Sequence, residues 1–173
     1  KPGRLTPEEY AEVQKHSLYG YNMLKDNNEI SSVTRNAIYS HHENEDGTGY
    51  PRHLTSDKIH KFAKIIHIAD VYDALTTKRV YKDAMNPADA LEYLMVNTQS
   101  MFDKEMVTTF LQYIAPYPLG VTVELSNGKQ AVVVKNSREM LTRPTVRLFD
   151  GTIINLVDTL DLTITKLLTN FND

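Results

Sequence analysis

At PYPLG, residues 116–120, the hydrophobic period of this chain changes from that of helices to that of strands. Before that point the pattern is helical. In TPEEYAEVQKHSLYGYNMLKD, Thr6 can cap, Pro7 suits the first helical position and Glu9 can complete a capping box. Tyr10, Val13, Leu18, Tyr21 and Leu24 follow at helical spacing, as if on one helix. A second helix is expected from Ser31 or Ser32, carrying Val33, Ala37 and Ile38 into His41–His42. SDKIHKFAKIIHIADVYDALTT predicts a third, with Ile59, Phe62, Ala63, Ile66, Ala69, Val71 and Leu75 as its apolar face. NPADALEYLMVNTQ and FDKEMVTTFLQYIA predict a fourth and a fifth. After residue 120, VTVEL and QAVVVK flank Asn127–Gly128, TVRLF and TIINL flank Asp150–Gly151, and LDLTITKL alternates once more. Asn-Gly and Asp-Gly tolerate the positive backbone angles of tight hairpins, so about five short antiparallel strands are expected. The expected architecture is mainly α, α+β overall, with a helical domain over residues 1–115 and a small antiparallel β domain over residues 116–173.

Composition excludes several classes. The 173 residues carry a net charge of −3, so no basic field advertises a nucleic-acid polymer. Cysteine is absent, which removes disulfides and thiolate metal sites and fits a cytoplasmic setting. No apolar run approaches the roughly 20 residues of a membrane-spanning helix. The first residue is Lys1, so an upstream segment is expected.

The chemistry concentrates in SHHENEDGTGYP, residues 40–51. Adjacent helical residues diverge by about 100°, so His41 and His42 can serve one metal centre only at a helix end or by bridging two ions. A glycine-bearing loop directly after them permits such an end. Asp70 lies among Ile68, Ala69 and Val71, where burying a carboxylate is costly unless it is paired or metal-bound, and Asp73 follows one turn later. Imidazole with carboxylate suits iron, manganese, zinc or nickel. Single histidines on helices are more often structural, and His53, His60 and His67 are read that way.

HHENEDGTGYP resembles the HHExxDGxGYP signature of HD-GYP domains, metal-dependent phosphodiesterases acting on cyclic di-GMP. KPGRLTPEEYAEVQKHSLYGYNML, IADVYDALTTKRVYKDAMNPADAL and FDKEMVTTFL are similar to further segments of that family, so the resemblance covers about residues 1–115. It implies an HD-type helical domain and a centre of two or three divalent ions, iron or manganese, with zinc or nickel as alternatives. His16, His41, His42 and Asp70 match the metal ligands, and His41, His42 and Asp70 the catalytic group. Glu43 matches the acid that supports the ligands. Asp46, Gly47, Gly49, Tyr50 and Pro51 match the loop that shapes the substrate site and docks diguanylate cyclase (GGDEF) domains. Arg79 and Lys82 match basic residues that grip the dinucleotide, with Tyr50 and Asp73 beside them; Lys82 stands where the family commonly has arginine and lacks its planar fork. The family's namesake His-Asp doublet, the following lysine and the upstream Glu and His ligands have no counterpart in this sequence. The implied reaction is hydrolysis of cyclic di-GMP to pGpG and GMP. The alternative is a non-catalytic module that binds the dinucleotide or a partner, and a homodimer is a further expectation.

Overall fold

The computed structural model describes residue 3, residues 5–78 and residues 83–168. Helices precede a sheet, as the change of period implies. The helices are α1 (Pro7–Gln14), α2 (His16–Leu24), α3 (Ser32–Ser40), α4 (Lys61–Thr76), α5 (Pro87–Val96) and α6 (Lys104–Tyr113), with a 3-10 turn at Ser56–Lys58. The strands are β1 (Thr122–Leu125), β2 (Gln130–Lys135), β3 (Thr145–Leu148), β4 (Ile153–Asn155) and β5 (Ile164–Leu168). Two compact units result: Lys1–Met85 with Glu92–Thr109, and Asn86–Leu91 with Phe110–Asp173. Among the described residues no helix is long and apolar enough to cross a membrane.

In the first unit the Thr6 cap and its Glu9 box form: Thr6 Oγ1 accepts from the Glu9 amide at 3.2 Å, and Glu9 Oε2 from the Thr6 amide at 2.8 Å. The single first helix expected from periodicity is instead two. α1 ends at Lys15 and α2 begins at His16. Neither glycine nor proline marks that break. It leaves the last carbonyls of α1 free for other donors. Gly20 lets α2 approach α3, since a Cβ there would lie 3.0 Å from Ile38 Cγ2.

The apolar face of α4 also differs from expectation. Phe62, Ile66 and Ala69 are exposed, whereas Ala63, His67 and Ile68 are buried. The cause is tertiary: Ala63 packs with Ala37 and Ile59 under Leu54. Small side chains at that contact fix which stripe of α4 turns inward. His60 accepts from the Phe62 amide through its own ring and caps the helix.

The second unit is an antiparallel sheet in the order β4-β3-β2-β1-β5. Gly128 and Gly151 have φ of 78° and 91° in the β1–β2 and β3–β4 turns. Alternating Val123, Leu125, Ala131, Val133, Val146 and Leu148 turn into one core with Leu156, Leu162, Ile164 and Tyr117. Arg143 donates to the carbonyls of Leu156, Thr159, Leu160 and Leu162, giving the loop before β5 an internal anchor.

Candidate metal centre

Three histidines converge. One ring nitrogen from each of His16, His41 and His42 lies within 4.8 Å of the other two. His16 comes from the α1–α2 break and His41 caps the C-terminal end of α3, so both sit where helices leave carbonyls unpaired. Each ring uses one of those carbonyls: His16 Nδ1 lies 2.7 Å from Val13 O, and His41 Nδ1 2.6 Å from Ile38 O. A carbonyl only accepts, so each Nδ1 carries the proton and each Nε2 of a neutral ring carries a lone pair. Yet His16 Nε2 is 3.2 Å from His41 Nε2 and 3.0 Å from His42 Nε2. No proton can sit between the first pair while both rings are neutral. Lone pairs gathered at one point, with the opposite nitrogens donating to backbone carbonyls, is the arrangement of imidazoles that ligate a divalent metal. The donor set fits such an ion.

The electrostatics keep His41 and His42 uncharged. Burial lowers His41 and His67 below the usual histidine range. Burial, then the neighbouring His41, His16 and His67, pushes His42 down to about 3. Neutral imidazoles are ready to coordinate.

His42 lacks a carbonyl lock. Its Nδ1 is 3.8 Å from Asp70 Oδ2, Tyr50 stacks on its face at 4.7 Å, and His67 meets it edge-on at 6.2 Å. Asp70 is not buried, as its apolar neighbours suggested. Its side chain is 43% exposed, because residue 70 falls at the rim of the buried stripe of α4. Burial raises Tyr50 above the ordinary tyrosine range, and Asp70 adds to it, so the hydroxyl stays protonated. Asp73 is exposed and accepts from the Thr77 hydroxyl at 3.2 Å, and the three-histidine group does not include it.

The loop after the doublet is fastened from several sides. Glu43 is buried, and its carboxylate accepts from the amides of Arg52 at 2.7 Å and Leu54 at 2.8 Å, so it holds the chain beyond Pro51. Asp46 Oδ1 accepts from the amide and hydroxyl of Thr48 at 2.9 and 2.6 Å. Gly47 has φ of 81° there. Gly49 is buried against main chain: a Cβ would strike the backbone of His42, Glu43 and Asn44. The Tyr50–Pro51 peptide is cis, and the Tyr50 amide donates to His42 O at 3.0 Å. Arg52 donates to Asn36 and Ser40 and lies over the Tyr39 ring, which stacks on Tyr21. Arg79 and Lys82, read as dinucleotide contacts, lie outside the described residues. Sequence reasoning missed Arg52, Asn44 and His67 as parts of this assembly. Only the position of His67 one turn before Asp70 hinted at it.

An HD-domain family model matches residues 1–106. A Pseudomonas aeruginosa protein named cyclic di-GMP phosphodiesterase is 36% identical over 149 residues, 86% of this chain and 36% of its own. A Vibrio cholerae protein named 3'3'-cGAMP-specific phosphodiesterase 2 is 38% identical over 114 residues, 65% of this chain and 22% of its own. The chain thus spans about a third or less of these relatives. Among solved structures, an HDG"Y"P protein from Bdellovibrio bacteriovorus aligns with a TM-score of 0.50 at 24% identity, over 60% of this chain and 32% of its own, a likeness of fold.

Proposed function

Because the chain belongs to the HD-domain family, we propose that His16, His41 and His42 are ligands of a divalent-metal centre that hydrolyses cyclic di-GMP. One observation carries this reading: two imidazoles locked with Nδ1 donating to backbone and Nε2 facing its neighbours have no use for that arrangement without a cation. Asp70 supplies a carboxylate at the edge of the same cluster, and iron or manganese suits nitrogen with oxygen donors. Such ions neutralise charge on a phosphoryl group and provide a nucleophile from water near neutral pH. The chain's own residues bind and orient. The three imidazoles hold the cation, and Asp70 partly offsets its charge. The protonated Tyr50 hydroxyl offers a donor beside the cluster. Cyclic di-GMP is favoured by the name of the Pseudomonas relative and by the HHENEDGTGYP stretch. The name of the Vibrio relative makes 3'3'-cGAMP the competitor to include.

The test is metal content and hydrolysis of both dinucleotides by the complete polypeptide, with His41→Ala and His42→Ala alongside. Bound metal and cyclic di-GMP turnover, both lost in the variants, are expected. Preference for 3'3'-cGAMP would overturn the substrate. Tight dinucleotide binding without hydrolysis would replace the enzyme by a binding module.

A further inference from the structure

His67 is the most buried histidine of the unit, 5% exposed, and the three-histidine cluster does not include it. Its ring lies between Phe102, 5.1 Å away, and the edge of His42, and the His41 backbone interacts with it. Its Nε2 is 3.1 Å from Asn44 Oδ1. Asn44 Nδ2 is 2.9 Å from Thr48 Oγ1, and Thr48 Oγ1 is 2.6 Å from Asp46 Oδ1.

The far end of this relay sets the direction of every proton in it. The Asp46 carboxylate, held below the usual range by Thr48, accepts only. Thr48 therefore gives it the hydroxyl proton and must itself accept from Asn44. The Asn44 amide nitrogen is thereby turned to Thr48, and its oxygen to His67. A neutral His67 then has to donate from Nε2, leaving a lone pair on Nδ1. That Nδ1 is buried and has no hydrogen-bond partner among the described residues. The relay therefore sets the tautomer of the ring from its Nε2 side.

We propose that His67 is a positioning residue for the histidine cluster: through Asn44, Thr48 and Asp46 it ties α4 to the loop that carries His42, and its ring backs His42 edge-on. This rests on the metal-centre reading. His67 does not ligate; it sets where the third ligand points. Residues that orient metal-ligating histidines typically change affinity 10–100-fold when removed.

The test is Mn(II) titration of the complete polypeptide, with thermal stability of the chelator-treated protein measured in parallel. His67→Leu keeps bulk and removes both nitrogens. His67→Gln can return a donor near the Nε2 position. Asn44→Ala breaks the same link while leaving the ring. Binding weaker by about 10-fold or more is expected for His67→Leu and Asn44→Ala, with the double variant no worse than either and His67→Gln restored to within about threefold of the parent. A lower melting temperature with unchanged Mn(II) affinity would overturn the proposal, as would His67→Gln failing alongside His67→Leu. Should His67→Leu not fold, Asn44→Ala decides alone. If the complete parent polypeptide binds no Mn(II), the metal-centre reading itself falls, a different outcome from parent and variants binding equally.

Discussion

Lys64→Met should be strongly destabilising. Lys64 Nζ lies 2.9 Å from Glu45 Oε2 and 3.0 Å from Ser56 Oγ, while Ser56 Oγ is 2.5 Å from the same carboxylate oxygen. The side chains of Lys64 and Glu45 are 11% and 9% exposed, so this is a buried pair in which desolvation has already been borne. Removing the ammonium leaves Glu45 with the Ser56 hydroxyl and brings no new cation. Asp103, 3.7 Å from Lys64 Nζ, then adds a second uncompensated carboxylate nearby. Breaking such a pair costs about 3–5 kcal/mol, and the surviving Ser56 bond argues for about 3. The melting temperature should fall by roughly 6–12 °C at about 2–4 °C per kcal/mol. Glu45→Leu should cost less, because Lys64 keeps Asp103. The double variant Lys64→Met/Glu45→Leu should lie nearer the parent than Lys64→Met does, since an apolar pair needs no solvation. Urea unfolding of all four proteins, followed by the helical far-UV signal, closes the cycle. A loss below about 1 kcal/mol for Lys64→Met would refute the reasoning, because it would mean that water solvates Glu45 in the folded chain.

Gly49→Ala should destabilise the loop by about 1–3 kcal/mol and weaken Mn(II) binding, because its methyl meets main chain of His42, Glu43 and Asn44 that no rotamer change can clear; parent-like melting and metal uptake would contradict this. His53 has φ of 54°, so His53→Gly should raise stability by up to about 1 kcal/mol in urea unfolding, and a loss would show that the exposed ring contributes more than its backbone costs. The chelator-treated chain should lose stability as pH falls from about 6.5 toward 3. Unfolded histidines take up protons near pH 6.5, whereas burial holds folded His42 down to about 3 and lowers His41 and His67, so the stabilising difference is complete above about 6.5 and shrinks below it. A melting temperature flat between about pH 7 and 4 would exclude this linkage.

The features legible in the sequence were local. The Thr6–Glu9 capping box, the glycine hairpins after Asn127 and Asp150, and the end of α3 at the histidine doublet each depend on residues within a few positions of one another. The features that sequence missed are set by contacts between distant residues. The break at Lys15 contains no helix breaker, yet it turns His16 back onto Val13 O and toward α3. The buried stripe of α4 is decided by the small residues Ala37 and Ala63, thereby burying His67 and leaving Asp70 at the rim. Glu43 was read as support for the ligands, but its carboxylate takes backbone amides that only the folded loop brings to it.

Two imidazoles side by side therefore answer to different constraints. His41, at the end of α3, can reach back to the helix's own free carbonyl at Ile38, and that fixes its tautomer and direction. The next residue points about 100° away and has no such carbonyl to use. His42 is turned instead by side chains from later in the chain: the Tyr50 face, the His67 edge and the Asp70 carboxylate. Gly49 allows that arrangement by letting the loop fold back onto the doublet, with the Tyr50 amide bonded to His42 O. Changes in residues 44–51 should accordingly act on the centre through His42, leaving the Nδ1 bonds of His16 and His41 intact, whereas opening the Lys15 break or fraying α3 should release His16 or His41 and leave the loop in place. The glycine-bearing loop thus aims the His42 ring, and under the metal-centre proposal that makes it a device for aiming one ligand.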